Sequence, residues 1–504
     1  AWRETEAMPS VSEAQRDAIG NSMSKRLTIV QGPPGTGKTH TSVRIITKWV
    51  QTMGYKPLLA TSECNIAVDN IAIGLVKNGV KVVRMGNAAK IREELEPAIL
   101  KNQIDKRRAD IKKNNEEDSE ELEEVGEEPW GENCDEEWEA WNKRRMARRR
   151  KIAWEKKQER WIKQQIIEDA EVIAATTVNS GSQAFEGIRF HGILIDEVAQ
   201  ATETSSIVPI VCRRASQLVL CGDHCQLPPS VQSREAELRG YSLSLYSRLV
   251  EAGVPFRFLD TQYRAHPMLM EFSAACIYQG KLLNGIDGSG RPSVKGIPWP
   301  SPSCPAAFFE CGAEEHLEGE SKANEAEAKM VLKLVQGVLD AKEIDTDEIG
   351  VVTPYKGQVR VLRRVLHRGL EITPLQRKNL EMASVDNFQG REKELIIFSA
   401  VRCNDYGGVG FLKDWRRLNV MITRARRGLV VVGNATTLAN DPHWKLWLEF
   451  TEKQGGSIPG TVKAAVNRLK ELGVRDRGHG HKRKMAEEEA PNLEDAAAKK
   501  SRGP

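Results

Sequence analysis

A phosphate-binding loop near the start of the chain constrains the fold more than any other feature. Its eight residues, Gly32–Thr39, read Gly-Pro-Pro-Gly-Thr-Gly-Lys-Thr. An apolar run, Leu27–Val30, precedes the loop, and a helical pattern that begins at Thr41 follows it. Such a loop needs a strand before it and a helix N-terminus behind it, whose free N–H groups and positive dipole end bind phosphate. The sequence therefore predicts a nucleoside triphosphate site in an α/β fold.

Each residue type in this loop has a physical role in holding a triphosphate. Glycine lets the backbone close around phosphate without a Cβ clash. Lys38 is expected to contact β- and γ-phosphate oxygens, and Thr39 is expected to bind Mg²⁺. The predicted nucleotide-binding residues of the loop are Gly32, Pro33, Pro34, Gly35, Thr36, Gly37, Lys38 and Thr39.

Length and composition limit the class of protein. A chain of 504 residues suggests two to four domains. Its net charge of +4 is too small to indicate nucleic-acid binding by itself, so the placement of charges must carry that inference. Nine cysteines without a Cys-x-x-Cys pair predict reduced thiols and an intracellular location. No apolar run is long enough to span a bilayer, so no membrane association is predicted.

Two series of short β-rich runs, each run followed by a helical stretch, predict parallel sheets covered on both faces. The first series begins at Leu27, and the second begins near Phe256. We predict two tandem nucleotide-fold lobes, residues 1–248 and 249–455, followed by a polar, disordered tail over 456–504. The runs predicted as strands are 27–30, 57–61, 80–84, 172–175, 192–195, 218–221, 349–352, 395–398 and 429–432.

The first series is interrupted over about 91–168 by a charged helical insertion. An acidic block, Glu116–Glu139, precedes a basic block, Lys143–Lys151, and Trp154 and Trp161 lie one heptad apart. One interpretation is a solvated helical hairpin with a disordered acidic tip. The other is that the basic arm contacts nucleic acid while the acidic block competes for that arm. In the tail, two basic clusters indicate either a nuclear address or a solubilising segment, so a cytoplasmic or nuclear location, or both, is predicted.

Three further patterns supply the chemistry of triphosphate hydrolysis. The apolar run that begins at Gly192 ends in Asp196 and Glu197. Asp196 is expected to hold Mg²⁺, and Glu197 to orient and deprotonate the attacking water. Gln226 follows the next strand and is placed to report the presence of the γ-phosphate. Arg264 and Arg424, in the second lobe, are expected to neutralise charge that develops on the transferred phosphoryl group.

Taken together, these motifs resemble the ordered set of the superfamily 1 helicases, in the branch that acts in nonsense-mediated mRNA decay. The similarity runs from about Gln15 to Trp447 and is interrupted by the charged insertion. One departure is the pair Glu63-Cys64, where the family carries Pro-Ser. The segments that carry the resemblance are Gln15, Gly32–Thr39, Asp196-Glu197, Gly222–Pro229, Gln262–Pro267, Val385–Glu392 and Leu418–Arg424.

The resemblance implies that the two lobes are RecA-like P-loop NTPase lobes, and it implies roles for individual residues. Gln15 would read adenine and Tyr263 would stack on it, which makes ATP the nucleotide. Gly390 and Glu392 would complete the pocket, while Arg264 and Arg424 would act as arginine fingers and Gln226 as the γ-phosphate sensor. The residues implied in binding single-stranded nucleic acid are Asn65, Thr176, Thr353 and Pro354.

Three classes of function stay open at this stage. The first is an ATP-dependent 5′-to-3′ helicase or translocase on single-stranded nucleic acid, with RNA favoured over DNA and with mRNA-decay or ribonucleoprotein partners. The second is a nucleic-acid-stimulated ATPase that clamps or remodels without unwinding. The third is a non-enzymatic scaffold, which the intact set of hydrolysis residues disfavours. The chain is expected to act as a monomer.

Overall fold

The predicted α/β class with parallel sheets is confirmed in the computed structural model, which describes residues 11–114, 135–213, 215–301 and 304–453. Every run predicted as a strand forms one. The strands are β1 Leu27–Gln31, β2 Leu58–Ser62, β3 Val82–Arg84, β4 Val172–Thr176, β5 Gly192–Asp196, β6 Gln217–Gly222, β7 Phe256–Phe258, β8 Thr261–Gln262, β9 Leu283–Asn284, β10 Ala306–Glu310, β11 His316–Glu318, β12 Ser321–Ala323, β13 Ile349–Thr353, β14 Glu381–Ser384, β15 Lys393–Ser399 and β16 Ala425–Gly433.

Helices alternate with these strands, as parallel pairing requires. Their N-termini are often capped by a side chain, as where Ser12 and Gln15 form a capping box at the first helix. The helices are α1 Glu13–Ser24, α2 Lys38–Gln51, α3 Asn65–Lys77, α4 Leu100–Asn114, α5 Asp135–Asp169, α6 Glu203–Arg213, α7 Arg234–Leu238, α8 Leu245–Glu251, α9 Pro267–Cys276, α10 Glu325–Asp340, α11 Lys356–Gly369, α12 Pro374–Asn379, α13 Trp415–Ile422, α14 Ala435–Leu438 and α15 Pro442–Glu452.

The chain divides into two compact units. Among the described residues, those of the first unit fall within Ala1–Thr41, Glu197–Ser206 and Val219–Pro504, and those of the second fall within Ser42–Asp196 and Ile207–Leu218. The predicted lobe boundary at residue 248 stays a prediction. The predicted tail, the N-terminal ten residues and most of the acidic block Glu116–Glu139 lie outside the described residues.

The first unit contains a five-stranded parallel sheet in the order β10-β16-β15-β13-β14. Successive side chains of a strand point to opposite faces, so β15 supplies a core on each side of this sheet. Ile396 and Phe398 join one buried cluster, and Leu395 and Ile397 join the other. Both faces are therefore covered, which explains why β15 reads as a continuous apolar run.

One strand corrects the sequence-based description. The second βα series was expected to begin near Phe256, but β7 pairs in parallel with β1, with Ile29 opposite Phe256. Strand β7 therefore lies beside β1, the strand that precedes the phosphate loop, and not among the strands of the second series. Strand order in a sheet depends on contacts distant in the chain, which a local β-rich pattern does not specify.

The second unit contains four parallel strands in the order β3-β4-β2-β5. Helix α3 packs on these strands and contributes the buried Val68 and Ile71 to the core of the second unit. The predicted helical insertion is present as α4 and α5, which contact each other. No helix in the described segments combines the length and the apolar character needed to cross a membrane.

Candidate nucleotide site

The phosphate loop connects β1 to α2 and adopts the backbone that its glycines permit. Gly35 and Gly37 have φ values of 77° and 78°, in the left-handed region that favours glycine. A Cβ on Gly32 would lie 2.2 Å from Cγ of Lys38, so this position also requires glycine. The Lys38 ammonium donates a 2.8 Å hydrogen bond to the Gly32 carbonyl oxygen, inside the curve of the loop. The loop therefore has the closed backbone and the internal cation of a phosphate cradle.

Gln15 braces this loop from helix α1. Its Nε2 donates to the Thr36 carbonyl oxygen at 2.9 Å, and its Oε1 accepts from the Ser12 N–H at 3.2 Å. A Cβ on Gly37 would lie 2.7 Å from Gln15 Nε2, so the contact depends on that glycine. The side chain is buried at the loop, and its reading of adenine stays a prediction.

The paired carboxylates lie at the C-terminal end of β5, as predicted: Asp196 is the last residue of the strand and Glu197 follows it. Glu197 has a φ of 51°, an uncommon left-handed conformation for a residue with a Cβ, and strain of this kind is often found at functional sites. Its Oε1 lies 3.7 Å from Lys38 Nζ, and its Oε2 accepts a hydrogen bond from Gln200 at 2.8 Å. Asp196 ends β5 in the second unit and is buried. The Asp196 carboxylate and the Thr39 hydroxyl are oxygen donors of the kind that Mg²⁺ prefers.

The segment around Arg264 lies directly on the phosphate loop. The Tyr263 N–H donates to the Gly35 carbonyl oxygen at 2.9 Å. A Cβ on Gly35 would lie 2.7 Å from Cβ of Arg264, so only glycine allows this approach. The Tyr263 side chain is 43% exposed, which leaves surface for the predicted stacking on adenine. The structure thus brings a predicted arginine finger to the loop that would hold the triphosphate.

Gln226 and Arg424 meet although they are 198 residues apart in the chain. Arg424 Nη2 donates to Gln226 Oε1 at 3.3 Å, and Arg424 Nε donates to the Val420 carbonyl oxygen at 2.9 Å. Both side chains are buried. The predicted γ-phosphate sensor and the second predicted arginine finger therefore form one hydrogen-bonded pair.

Three residues that were not assigned a role hold Gln226 in place. Asp223 accepts from Gln226 Nε2 at 2.8 Å and from the Tyr278 hydroxyl at 2.7 Å. The Tyr278 oxygen accepts in turn from Asn419 Nδ2 at 3.0 Å. Asp223 and Asn419 lie within motifs that the sequence singled out, but Tyr278 carries no local signal. Its role depends entirely on where the fold places its hydroxyl.

Glu392 joins the arginines of the site. It forms ion pairs with Arg264 and Arg426, and Arg426 also pairs with Glu394 at 3.1 Å. Gly390, two residues earlier, has a φ of 76°. The structure therefore places Glu392 beside a predicted arginine finger. Direct contact of Gly390 and Glu392 with nucleotide stays a prediction.

Electrostatics at this site favour an anionic ligand. Burial is the largest cause that lowers the pKa of Arg424, and the neighbouring Arg264 lowers it further. Burial likewise lowers the pKa of Arg264, while Glu392 and Glu197 raise it. Guanidinium groups remain charged in proteins, so the lowered pKa values report mainly the cost of burying two charged side chains, to which repulsion between neighbouring arginines adds. A bound triphosphate would relieve this repulsion.

The four residues predicted to contact nucleic acid lie at the ends of elements. Asn65 begins α3, and its Oδ1 accepts from the buried Arg84 at 3.0 Å, so its carbonyl is already committed. Thr176 ends β4, and Thr353 ends β13 with Pro354 next to it. The carboxyl ends of parallel strands are the usual position for binding residues. Their contact with nucleic acid stays a prediction.

This chain is similar to known proteins over most of its length. Two family models, both described as AAA domains, match residues 10–234 and 241–436. Regulator of nonsense transcripts 1 homolog of Drosophila melanogaster is 36% identical over 473 residues, covering 92% of this chain and 37% of that protein. Regulator of nonsense transcripts 1 of Caenorhabditis elegans is 38% identical over 469 residues, covering 91% and 41%. ATP-dependent helicase upf1 of Schizosaccharomyces pombe is 34% identical over 470 residues, covering 91% and 48%.

The chain therefore spans less than half the length of these curated relatives. Two consecutive AAA-domain matches agree with the predicted tandem arrangement of nucleotide-fold lobes. Among solved structures, arterivirus nonstructural protein 10 (helicase) is 11% identical, with a TM-score of 0.37, over 82% of this chain and 61% of that one.

Proposed function

This chain belongs to the helicase family that includes regulator of nonsense transcripts 1, and from that premise we propose that it is an ATP-driven translocase on single-stranded nucleic acid. RNA is the favoured substrate, the direction is 5′ to 3′, and the process is mRNA surveillance or ribonucleoprotein remodelling. The observation that carries the proposal is the Arg424–Gln226 pair beside the Arg264–phosphate-loop contact.

Hydrolysis follows from what each side chain can do. Lys38 and the loop N–H groups bind the β- and γ-phosphates, and Glu197 orients the attacking water and accepts its proton. Arg264 and Arg424 stabilise the charge that builds up on the phosphoryl oxygens. Thr39 and Asp196 would hold Mg²⁺, which neutralises phosphate charge when bound.

Coupling to movement follows from the pair between Gln226 and Arg424. The Gln226 amide is oriented by Asp223, so its oxygen faces Arg424 and the pair can respond to the γ-phosphate. Loss of that phosphate removes the anion that both arginines attract. Nucleotide state is thereby proposed to be linked to Thr353, which ends β13 in the same unit, and to Pro354, which follows it.

Partners and location extend the same proposal. Proteins of mRNA decay or ribonucleoproteins are the proposed partners, the chain is proposed to act as a monomer, and the proposed location is cytoplasmic, nuclear or both.

A second candidate function is supported by one local contact. Glu63, where the family carries proline, accepts a 2.9 Å hydrogen bond from the Thr177 hydroxyl, next to the predicted contact residue Thr176. Cys64 uses its sulfur to cap α3, accepting from the Ala67 N–H at 3.4 Å. A carboxylate here repels phosphate and so weakens binding of the strand at this point. Weaker strand binding favours a nucleic-acid-stimulated ATPase that clamps or remodels without unwinding. A DNA helicase that contacts the strand phosphates differently is the other alternative.

One pair of assays separates these functions. ATP hydrolysis is measured with and without matched single-stranded RNA and DNA, and strand displacement is measured on duplexes with a 5′ or a 3′ tail. Stimulated hydrolysis with displacement from the 5′ tail supports the translocase, and stimulated hydrolysis alone supports the clamp. Absence of stimulation by either nucleic acid contradicts both.

A further inference from the structure

Helix α5 presents two exposed tryptophans on one face. Trp154 is 59% exposed and Trp161 is 57% exposed. At 100° per residue, side chains seven positions apart project within about 20° of each other, and a rise of 1.5 Å per residue separates them by about 10 Å along the helix. Large aromatic side chains that are exposed to solvent often mark a binding surface. We call this surface the Trp154–Trp161 face.

Positive charge surrounds this face. Between Lys143 and Lys163 the chain carries eleven lysines and arginines but two glutamates, so the segment is strongly basic although the whole chain is almost neutral. Arg150 lies one turn before Trp154, and Lys157 lies between the two indoles; both are exposed. By helical periodicity the two glutamates project away from this face.

The remainder of α5 accounts for how the helix is held. Glu159 pairs with Arg108 of α4 at 3.2 Å, and Asp169 pairs with Arg107 at 2.6 Å. Ile162 and Ile166 are buried. The contacts that attach the helix to its own unit thus use other side chains and leave the two indoles at the surface.

We propose that the Trp154–Trp161 face binds single-stranded nucleic acid, with the indoles stacked on bases and with Arg150 and Lys157 against phosphates. The proposal rests on the nucleic-acid substrate proposed above and adds a binding site in the insertion. Alternating aromatic and basic side chains suit this ligand because every base offers a flat face and every nucleotide a negative charge. Stacking of this kind is tolerant of sequence, as a translocating protein requires.

Other occupants fit the face less well. A coiled-coil partner requires apolar residues that repeat over three or four heptads, but the heptad positions before and after the indoles are Ala147 and Glu168. A helix lying in a membrane surface requires a continuous apolar side, whereas charged residues flank both indoles. An acidic protein surface would be satisfied by the charges alone and gives no reason for two aligned indoles.

The test uses the full 504-residue chain and fluorescein-labelled oligouridine and oligodeoxythymidine of equal length, with binding read by anisotropy. The doubly substituted W154A/W161A protein is expected to bind on the order of ten-fold or more weakly, because each stacked base contributes measurably to affinity. The matched control is Trp138→Ala, since Trp138 is 46% exposed on the same helix but projects about 160° away. It is expected to bind within two-fold of the unsubstituted protein.

A charge variant gives an independent readout. R150E/K157E is expected to flatten the dependence of log affinity on log salt by roughly 1.4, which corresponds to two phosphate contacts on a single strand. Arg149→Glu, on the opposite face by helical periodicity, is the matched control and is expected to change the slope less.

The outcomes separate this inference from the proposed function. If the unsubstituted protein binds neither oligonucleotide, the proposed function fails. If it binds and W154A/W161A binds equally well, the face is not a nucleic-acid site and the inference fails alone. Equal competition by polyglutamate, or equal loss in W154A/W161A of binding to vesicles containing phosphatidylserine, would assign the face to an acidic protein or a membrane and overturn the inference.

Discussion

The Tyr278 hydroxyl donates a 2.7 Å hydrogen bond to the Asp223 carboxylate, although the two residues are 55 positions apart. The Asp223 carboxylate also accepts a hydrogen bond from Gln226 Nε2, and the amide oxygen of Gln226 accepts one from Arg424. Tyr278 therefore acts one step away from the proposed phosphate sensor, as a positioning residue. Burial raises the pKa of Tyr278 well above its usual value, so the hydroxyl remains protonated and able to donate.

Removal of this hydroxyl is expected to slow hydrolysis without weakening ATP binding. In Tyr278→Phe, Asp223 loses a hydrogen bond and Gln226 loses part of its orientation, so kcat should fall about ten-fold while KM changes little. Steady-state hydrolysis at saturating single-stranded RNA measures both constants. Tyr246→Phe is the matched control, because Tyr246 is a buried tyrosine whose hydroxyl donates instead to the Val30 carbonyl oxygen at 3.2 Å. An equal loss of kcat in both variants would indicate general destabilisation.

Lys38→Ala is expected to reduce ATP turnover to background. The ammonium lies within the phosphate loop and 3.7 Å from Glu197, where it would bind phosphate oxygens and balance the carboxylate. Phosphate release is the measurement, and thermal unfolding verifies that the variant is folded. Lys81→Ala, at an exposed lysine, provides a control that should retain turnover. Turnover of Lys38→Ala near the unsubstituted rate would remove the loop from catalysis.

Arg424→Ala is expected to spare nucleotide binding and to lower the hydrolysis rate by about 10³-fold or more, because an arginine finger acts mainly on the transition state. The side chain is buried and also bonds the Val420 carbonyl oxygen, so Arg424→Lys serves as a second, less disruptive variant. Binding is measured with a fluorescent ATP analogue and hydrolysis by phosphate release. Parallel losses of binding and rate would show a ground-state role instead.

A buried carboxyl outside the nucleotide site predicts a pH effect on stability. Burial raises the pKa of Glu327 to about 8, while its Oε2 accepts from the Ser399 hydroxyl at 2.6 Å and from the Val401 N–H at 2.9 Å. The folded state therefore binds a proton that the unfolded state releases near pH 4.5. Stability should fall as pH rises from about 4.5 to about 8, by roughly 1.4 kcal/mol per pH unit from this group.

Glu327→Gln removes the titrating group and keeps a planar polar side chain. The melting temperature of the variant is expected to depend less steeply on pH between 5 and 8 than that of the unsubstituted protein. Differential scanning calorimetry at half-unit pH intervals gives both curves, and every other titrating group contributes to both. Parallel curves would show that Glu327 is ionised in the folded state throughout this range.

Local pattern was sufficient for the parts of the protein whose physics is local. Apolar β-rich runs predicted strands such as β1 and β15, and the glycines of the phosphate loop predicted a backbone that only glycine adopts readily. The pairing of β7 with β1 was missed, because the partner of a strand depends on the whole chain.

Sequence alone determined the nucleotide loop, the paired carboxylates and the identity of the candidate arginines, since each is a short pattern with its own chemistry. Only the tertiary structure decided that Gln226 contacts Arg424, that Tyr278 supports them through Asp223, and that Trp154 and Trp161 remain exposed. The physical reason is that hydrogen-bond geometry and burial are properties of side chains brought together from distant positions, which no local spacing specifies.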